Sequence, residues 1–562
     1  MTQTKARCFL LVLLILAAQA GAQVHNSVSL DHDSYALIEM GVIRGIITPL
    51  PSVKPWSRQY VREKLWEMLD DPADKLSSKE RDTIAGVLAS FDRENGFDLQ
   101  HGRYRTEGNI YTLETGLGWE SDFSVSAPNT SLASTNTAQI YAAGDIVNSI
   151  SWNLAAMGEL LYIGRTQQGA LPWVTHDITS FFPYTYGKQW DRGVLSLRSP
   201  DAYSGWPDDA ALAYDYEFEL NGEFFNRLLQ LRLGRIRRDW GPEENGISLF
   251  MNSRARPSLA FEGMVSPLSW MNILIFSGAV EYFRENEEWP QNPLYNNLLT
   301  AARFEFDPWN FFHFDIGASA TVIGRPNTGF FSNLELRIPG MLKIWGSLFV
   351  DQLDSLSGNF NYKSNNNYAY QAGFKTNIYW LPLAFFSLRY TKVEPFCYTH
   401  EFDENNGAWI PSVRAYVNGG ESLGYYLPPN SDEFFLRFES MLFPEIKAHI
   451  QFQMIRHGVD FGSERVYGSS LRDKLDNADS AKYFLMDGVY RWDNVIKLGG
   501  SCRLRASGVP ISVYAETGVA ITSYTINGTA GPGNEADYET LNNDMYSAGN
   551  RFIFSAGFRL FQ

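Results

Sequence analysis

The chain has 562 residues, a formal net charge of −16, 15% aromatic side chains and a mean hydropathy of −0.23. That length exceeds one ordinary soluble core, and the acidic surplus argues against nucleic acid as a partner. After the first residues no stretch approaches the ~20 apolar residues of a membrane helix, which excludes a helical inner-membrane protein. Many aromatics at near-neutral hydropathy is the balance expected where lipid-facing positions alternate with polar ones.

Residues 1–22 have the layout of a secretory signal peptide: Lys5 and Arg7, an apolar run from Cys8 to Ala18, then Ala20-Gly21-Ala22 before Gln23. Its removal takes away two cations, leaving 45 against 63 anions, or −18. No cysteine stands at the cleavage point for a lipid anchor. Cys397, in a loop, and Cys502, in a strand, are placed too differently to pair, so neither a disulfide framework nor a thiolate metal site is expected.

Residues 23–100 read as a small helical module. Ser34 to Met40 predicts a helix ended by Gly41, and Ser57 can cap a second through Leu69, with Val61, Leu65, Met68 and Leu69 on one stripe before Pro72. Ser77 and Glu80 form a capping box for a third, whose apolar face is Ile84, Val87, Leu88 and Phe91. Three such stripes cannot bury one another well, so the module should dock on a larger body.

From about Asn109 the period changes to two. Tyr214, Tyr216, Phe218 and Leu220 alternate with polar residues, and Leu229-Gln230-Leu231-Arg232-Leu233 does the same. A tight turn at 221–224 would place Asp215 across from Arg232 and Glu217 across from Gln230. Eight short turns are expected, at 147–150, 221–224, 265–270, 307–310, 338–341, 380–382, 443–444 and 507–510. Nine longer polar connections are expected at 127–136, 164–210, 239–255, 284–297, 323–330, 352–366, 393–432, 458–490 and 525–548. Their alternation gives a mainly β fold over 101–562, an antiparallel transmembrane β-barrel of about 18 strands with both ends on the short-turn side. The segment Phe552 to Leu560 should close it against Tyr111 to Phe123.

The densest polar feature follows Leu233: Arg235, Arg237, Arg238, Asp239 and Trp240, then Gly241-Pro242, Arg254 and Arg256. The run Gly-Arg-x-Arg-x-x-Trp-Gly-Pro at 234–242, with Asn252-Ser253-Arg254-Ala255-Arg256-Pro257 and the Trp56-Ser57-Arg58 helix start, resembles the Wzi family of outer-membrane capsule-assembly proteins. The resemblance implies an eighteen-stranded outer-membrane barrel with a periplasmic helical bundle, acting as a lectin for capsular or related polysaccharide.

The arginines either line the lumen in pairs with acids such as Asp215 and Glu217, obstructing the pore, or grip carboxylates of an acidic glycan. The obstructing role is preferred. Loop aromatics Trp173, Tyr184, Tyr186, Trp190, Trp206, Trp289, Trp409, Tyr425 and Tyr426 could stack on sugar rings or belong to membrane girdles. No Gly-x-Ser-x-Gly elbow, no His-Glu-x-x-His and no clustered histidines point to catalysis or a cofactor. The expected partners are surface polysaccharide and outer-membrane lipid, with the chain a monomer. A porin passing small solutes and a barrel anchored to the cell wall through its helices are the competing readings.

Overall fold

The computed structural model describes residues 25–91 (except 49 and 74), 96–98, 102–108, 111–127, 131–146, 149–165, 195–196, 210–241, 246–281 (except 256), 283–284, 296–309, 311–321, 328–351, 367–399, 412–413, 416–418, 421–443, 445–459, 468–469, 488–506, 509–527 and 549–560. Three helices come first: α1 (Ser34–Ile43), α2 (Arg58–Leu69) and α3 (Ser78–Phe91). Ser57 caps α2, its Oγ accepting from the Tyr60 N–H at 3.3 Å. The capping box is present too. Ser77 N–H donates to Glu80 Oε2 at 2.8 Å, and Glu80 N–H to Ser77 Oγ at 3.4 Å. Gly41 does not end α1, which continues to Ile43. A Cβ there would lie 2.8 Å from Met68 Sδ and 2.9 Å from Ile47, so this glycine serves close packing rather than termination.

Eighteen antiparallel strands follow. They are β1 (Tyr111–Ala127), β2 (Ser131–Ile146), β3 (Ile150–Arg165), β4 (Ala210–Phe224), β5 (Leu229–Ile236), β6 (Ser258–Leu268), β7 (Met271–Glu281), β8 (Asn296–Trp309) and β9 (Phe312–Thr321). The second half comprises β10 (Thr328–Ile338), β11 (Leu342–Asp351), β12 (Asn367–Asn377), β13 (Ala384–Val393), β14 (Ser431–Phe443), β15 (Ile446–Val459), β16 (Gly488–Ala506), β17 (Val509–Asn527) and β18 (Gly549–Leu560). Each pairs with the next, and β18 closes on β1 from Leu560 opposite Trp119 to Phe552 opposite Ala127. The eight connections expected to be short all lie at one end. The described hairpin of Gly96–Asp98 and Arg103–Glu107 joins the sheet at this seam, Arg103 lying opposite Gly116. It covers the part of β1 that β18 does not reach.

Two expectations for the barrel need correction. No long connection occupies 127–136: β1 runs to Ala127, β2 starts at Ser131, and Ser126 stands opposite Ser131. Serine and threonine, which suggested a loop, suit strands above the apolar band. The β4–β5 register is the second. Asn221 faces Arg232 and Glu223 faces Gln230, because β4 extends to Phe224 and the turn is made by Phe225, Asn226 and Arg227, all at left-handed φ.

Outward positions are apolar along the wall, with Ile140, Leu154, Ile316, Leu334, Ile344, Leu348, Ile450 and Leu498 all exposed. Trp270, Trp309, Phe311, Tyr379 and Trp380 protrude around the short-turn rim. An apolar belt with an aromatic edge is the surface of a transmembrane barrel.

The helices dock on this rim. Their core shares Leu383, Phe385 and Met441 with the barrel, and Gly340 N–H donates to Ile43 O at 2.9 Å. Arg44 is clamped by Glu80 (2.6 Å) and Asn377 (2.7 Å), while Asp33 takes Lys447 and Arg503.

Candidate functional site

The connection from β5 to β6 turns into the lumen. Trp240, 1% exposed, meets Phe250 of the same connection, Phe276 of β7 and Phe331 of β10 at centroid distances of 5.4, 5.8 and 6.0 Å. Phe250 stacks on Phe331 at 4.0 Å, and Ile247, Leu249 and Met251 join the cluster. Asp239 organises the bend, accepting backbone hydrogen bonds from Gly241 (3.1 Å), Gly246 (2.6 Å) and Ser253 (3.3 Å). Burial pushes its carboxyl above the usual aspartate range, against the pull of Lys54 and these donors.

A second piece enters from the other end. The segment before α2 rises from the short-turn rim, and Lys54 and Asp239 exchange backbone hydrogen bonds at 2.9 and 3.1 Å. Arg303 of β8, fully buried, ties the parts together. Its Nη1 donates to Trp240 O at 2.6 Å, and its Nη2 donates to Ser52 Oγ at 2.6 Å and Asp315 Oδ2 at 2.7 Å, with Glu305 3.2 Å away. One guanidinium thus holds the inward connection, the N-terminal segment and the wall.

The β13–β14 connection supplies the third piece. Phe396, Cys397, Tyr398, Tyr416, Tyr425 and Leu427 are buried, Tyr398 against Phe349 of β11 at 5.2 Å. Tyr398 Oη donates to Leu249 O at 2.9 Å, joining the two inward connections. Tyr425 and Tyr426 both hydrogen-bond Glu433 of β14, which also takes Arg389 at 3.0 Å. One apolar cluster therefore runs from these connections to inward residues of β6–β8, β10–β13 and β15, including Ala260, Leu274, Phe349, Val393 and Ile455. In this sector the lumen is filled by protein.

The predicted site residues divide. Arg238 is buried and lumenal, its Nε 2.6 Å from Glu262, which also takes Arg232 at 3.1 Å. Asp239 and Trp240 are the inward bend itself. Arg235 and Arg237 do find Asp215 (2.7 Å) and Glu217 (3.8 Å), but Arg235 has the outward parity of Leu233 and lies over the Tyr216 ring at 4.5 Å. It therefore does not line the lumen. Arg254 is exposed on the inward connection, its guanidinium 4.1 Å from the Tyr426 ring. Arg256 lies outside the described residues, as do Trp173, Tyr184, Tyr186, Trp190, Trp206, Trp289 and Trp409.

Tyr425 is fully buried in the filling and Tyr426 packs against it, so neither is a free loop aromatic. Sequence reasoning missed Arg303, Glu305, Tyr398 and Tyr416. The only signal for the first pair was the inward parity of Arg303-Phe304-Glu305.

No family model matches the chain, and no curated protein matches it in sequence. Among solved structures, it is similar to Wzi of Escherichia coli, described as an outer-membrane protein involved in group 1 capsule assembly and a carbohydrate-binding β-barrel. The identity is 12%, the TM-score 0.53, and the match covers 96% of this chain and 99% of that one. Two further barrels are OccAB2 of Acinetobacter baumannii (10% identity, TM-score 0.42, 81% and 99% covered) and OccK11 of Pseudomonas aeruginosa (8%, 0.41, 80% and 96%). At 12% identity the likeness is one of architecture, and it establishes that this chain has the outer-membrane barrel fold of Wzi along almost its whole length.

Proposed function

We propose that this chain is a polysaccharide-binding barrel of the outer membrane, lectin-like rather than catalytic, which assists assembly or surface attachment of a capsule or related exopolysaccharide. In this reading residues 1–22 are a signal peptide, 23–100 a periplasmic helical module and 101–562 the barrel. The protein acts as a monomer among outer-membrane lipids and uses no cofactor. The observation that carries it is the filled lumen. A sector plugged by two inward connections and by the segment around Ser52 and Lys54 suits a protein that holds a polymer and does not suit a wide solute channel. The fold likeness to a carbohydrate-binding barrel points the same way.

Arg254, exposed at the plug and resting on Tyr426, is the one of the seven candidates offered for glycan contact. Arg238, Asp239 and Trp240 hold the plug. The test is a deletion strain complemented with the full chain: surface polysaccharide should be shed without the protein and retained with it. Polysaccharide that stays attached in the deletion strain would overturn the reading, as would a steady open conductance of the purified chain in a planar bilayer.

A further inference from the structure

A short hairpin stands between the helical module and the barrel. Gly96–Asp98 pairs with Arg103–Glu107, which lies along β1 from Gly116 to Thr112. The register fixes its two faces. Tyr104 stands opposite both Phe97 and Thr115, and Thr115 is an exposed position of β1 on the same side as Leu117 and Trp119. Arg103 stands opposite Asp98 and Gly116, and Arg105 opposite the buried Glu114. Period two thus turns the two rings to the outside of the wall and the charges to the inside. There Arg103 Nε lies 3.0 Å from Asp98 and Arg105 Nη2 lies 3.4 Å from Glu107.

Phe97 is 70% exposed and Tyr104 48%, and among the described residues neither ring packs into a buried cluster. Their face continues the apolar belt of the wall, where Tyr111, Leu117, Trp119 and Ile140 are exposed beside them. A small soluble ligand would need a concave site. A folded partner seated on the rings would also have to cover the neighbouring belt, which lipid already covers. The charges set the depth. Glu107 keeps 38% of its side chain exposed, a carboxylate that hydrocarbon would not hold. The hairpin also lies at the short-turn end of β1, where Tyr111 stands opposite Ile146. That level is the boundary between headgroups and acyl chains, where amphipathic aromatics collect. We propose that the hairpin is an interfacial anchor: Phe97 and Tyr104 seat in the phospholipid headgroup–acyl boundary at the short-turn rim and pin the chain between α3 and β1 to the membrane. The proposal rests on the membrane placement of the barrel wall and is independent of any polysaccharide.

The test places a nitroxide label at Phe97→Cys or Tyr104→Cys in the full chain, reconstituted in vesicles of phosphatidylethanolamine and phosphatidylglycerol. Cys8→Ser and Cys502→Ser leave only the buried Cys397 beside the label. Ile316→Cys in the belt and Asp82→Cys on the exposed face of α3 supply the lipid and water references. Heat-modifiable gel migration reports that each variant forms the barrel, and either hairpin position suffices if the other does not fold. Relaxation of the label by oxygen, which concentrates in lipid, is compared with relaxation by a water-soluble nickel chelate. The oxygen-to-nickel ratio at the hairpin should exceed that at Asp82 by about threefold or more and stay below that at Ile316. A ratio equal to that at either reference would overturn the proposal, as would a label shielded from both reagents, the mark of a second copy or another protein over the rings. Were Ile316 itself to read like Asp82, the membrane placement of the whole wall would fall, and the anchor with it.

Discussion

The barrel interior has two unlike sectors. From β6 to β14 the inward residues include Phe276, Phe331, Trp345 and Phe349 among buried charges, and the inward connections cover them. From β15 through β18 to β2 a set of inward residues is polar and only partly buried, His449, Glu516, Tyr514, Arg559, Glu120, Asp122, Gln139 and Tyr141, although Ile455, Arg491, Asp493 and Val495 of β15 and β16 are buried. Ion pairs exist in both. Arg303 and Asp315 are both fully buried, whereas Arg559 and Glu120 keep side-chain exposures of 33% and 26%. The same Arg–carboxylate chemistry therefore acts as a buried joint at Arg303–Asp315, as it also does at Arg491–Asp493 of β16, and as a solvated wall at Arg559–Glu120. Around Phe276, Phe331 and Phe349, where aromatic side chains face inward, connections have folded in to cover them.

The largest effect should come from removing the cover. Replacing 241–255 with a short Gly-Ser linker exposes Phe276 and Phe331 to water and is expected to convert a nearly closed barrel into one with steady conductance in planar bilayers. If conductance stays low, the β13–β14 connection and the N-terminal segment seal the lumen by themselves. Next in size is Arg303→Met. It leaves Asp315 and Glu305 buried without their cation, a loss of roughly 3–5 kcal/mol by the behaviour of broken buried pairs. The cost should show in urea unfolding of the folded barrel in lipid, and as faster proteolysis near Ser52 if that segment loses its anchor.

The module offers a graded test, because its edge under β15 and β16 is held by charge. Burial lowers the pKa of His32 from 6.5 to about 4, beside Asp33, which Lys447 and Arg503 keep below the ordinary carboxylate range although burial acts the other way. An exposed His32 takes up a proton below its ordinary 6.5; the docked one does so only below about 4. Acid within that window thus favours the undocked state, and docking is strongest above it. Asp33 adds a further loss only once pH falls below its ordinary value. The protection of α1 amides, taken relative to the intrinsic exchange rate at each pH, should fall from pH 6.5 to 4 and His32→Gln should flatten that fall, with α3, clamped by Arg44 and Glu80 under β12, changing less. An equal loss of protection in both helices would show that the module moves as one piece.

Much of this architecture was legible in the residues. Period-two runs, eight turns and capping signals at Ser57 and Ser77 place the strands and two of the helices because those signals are local. The register at Phe225-Asn226-Arg227 was not, since nothing in those residue types demands left-handed φ. The filling was half visible. Phe330-Phe331 and Leu348-Phe349-Val350 are apolar on both parities, which marks a strand covered on both faces. What covers them is tertiary, and the role of Arg303 depends on three segments from 52, 240 and 315 meeting at one guanidinium.

The smallest effect is expected in the open sector, and it is the sharpest check on the comparison. Arg559 Nε lies 2.7 Å from Glu120 Oε1, a geometry as good as that of Arg303 and Asp315. If distance alone set the strength, Arg559→Ala would cost as much as Arg303→Met. Water reaches both partners here, so the charges are screened, and Glu120 is resolvated when its partner leaves. The expected loss is about 1 kcal/mol or less, shrinking further in high salt, by the same urea unfolding measurement. A loss matching that of Arg303→Met would mean that this wall too is closed off from water and that the two sectors are one.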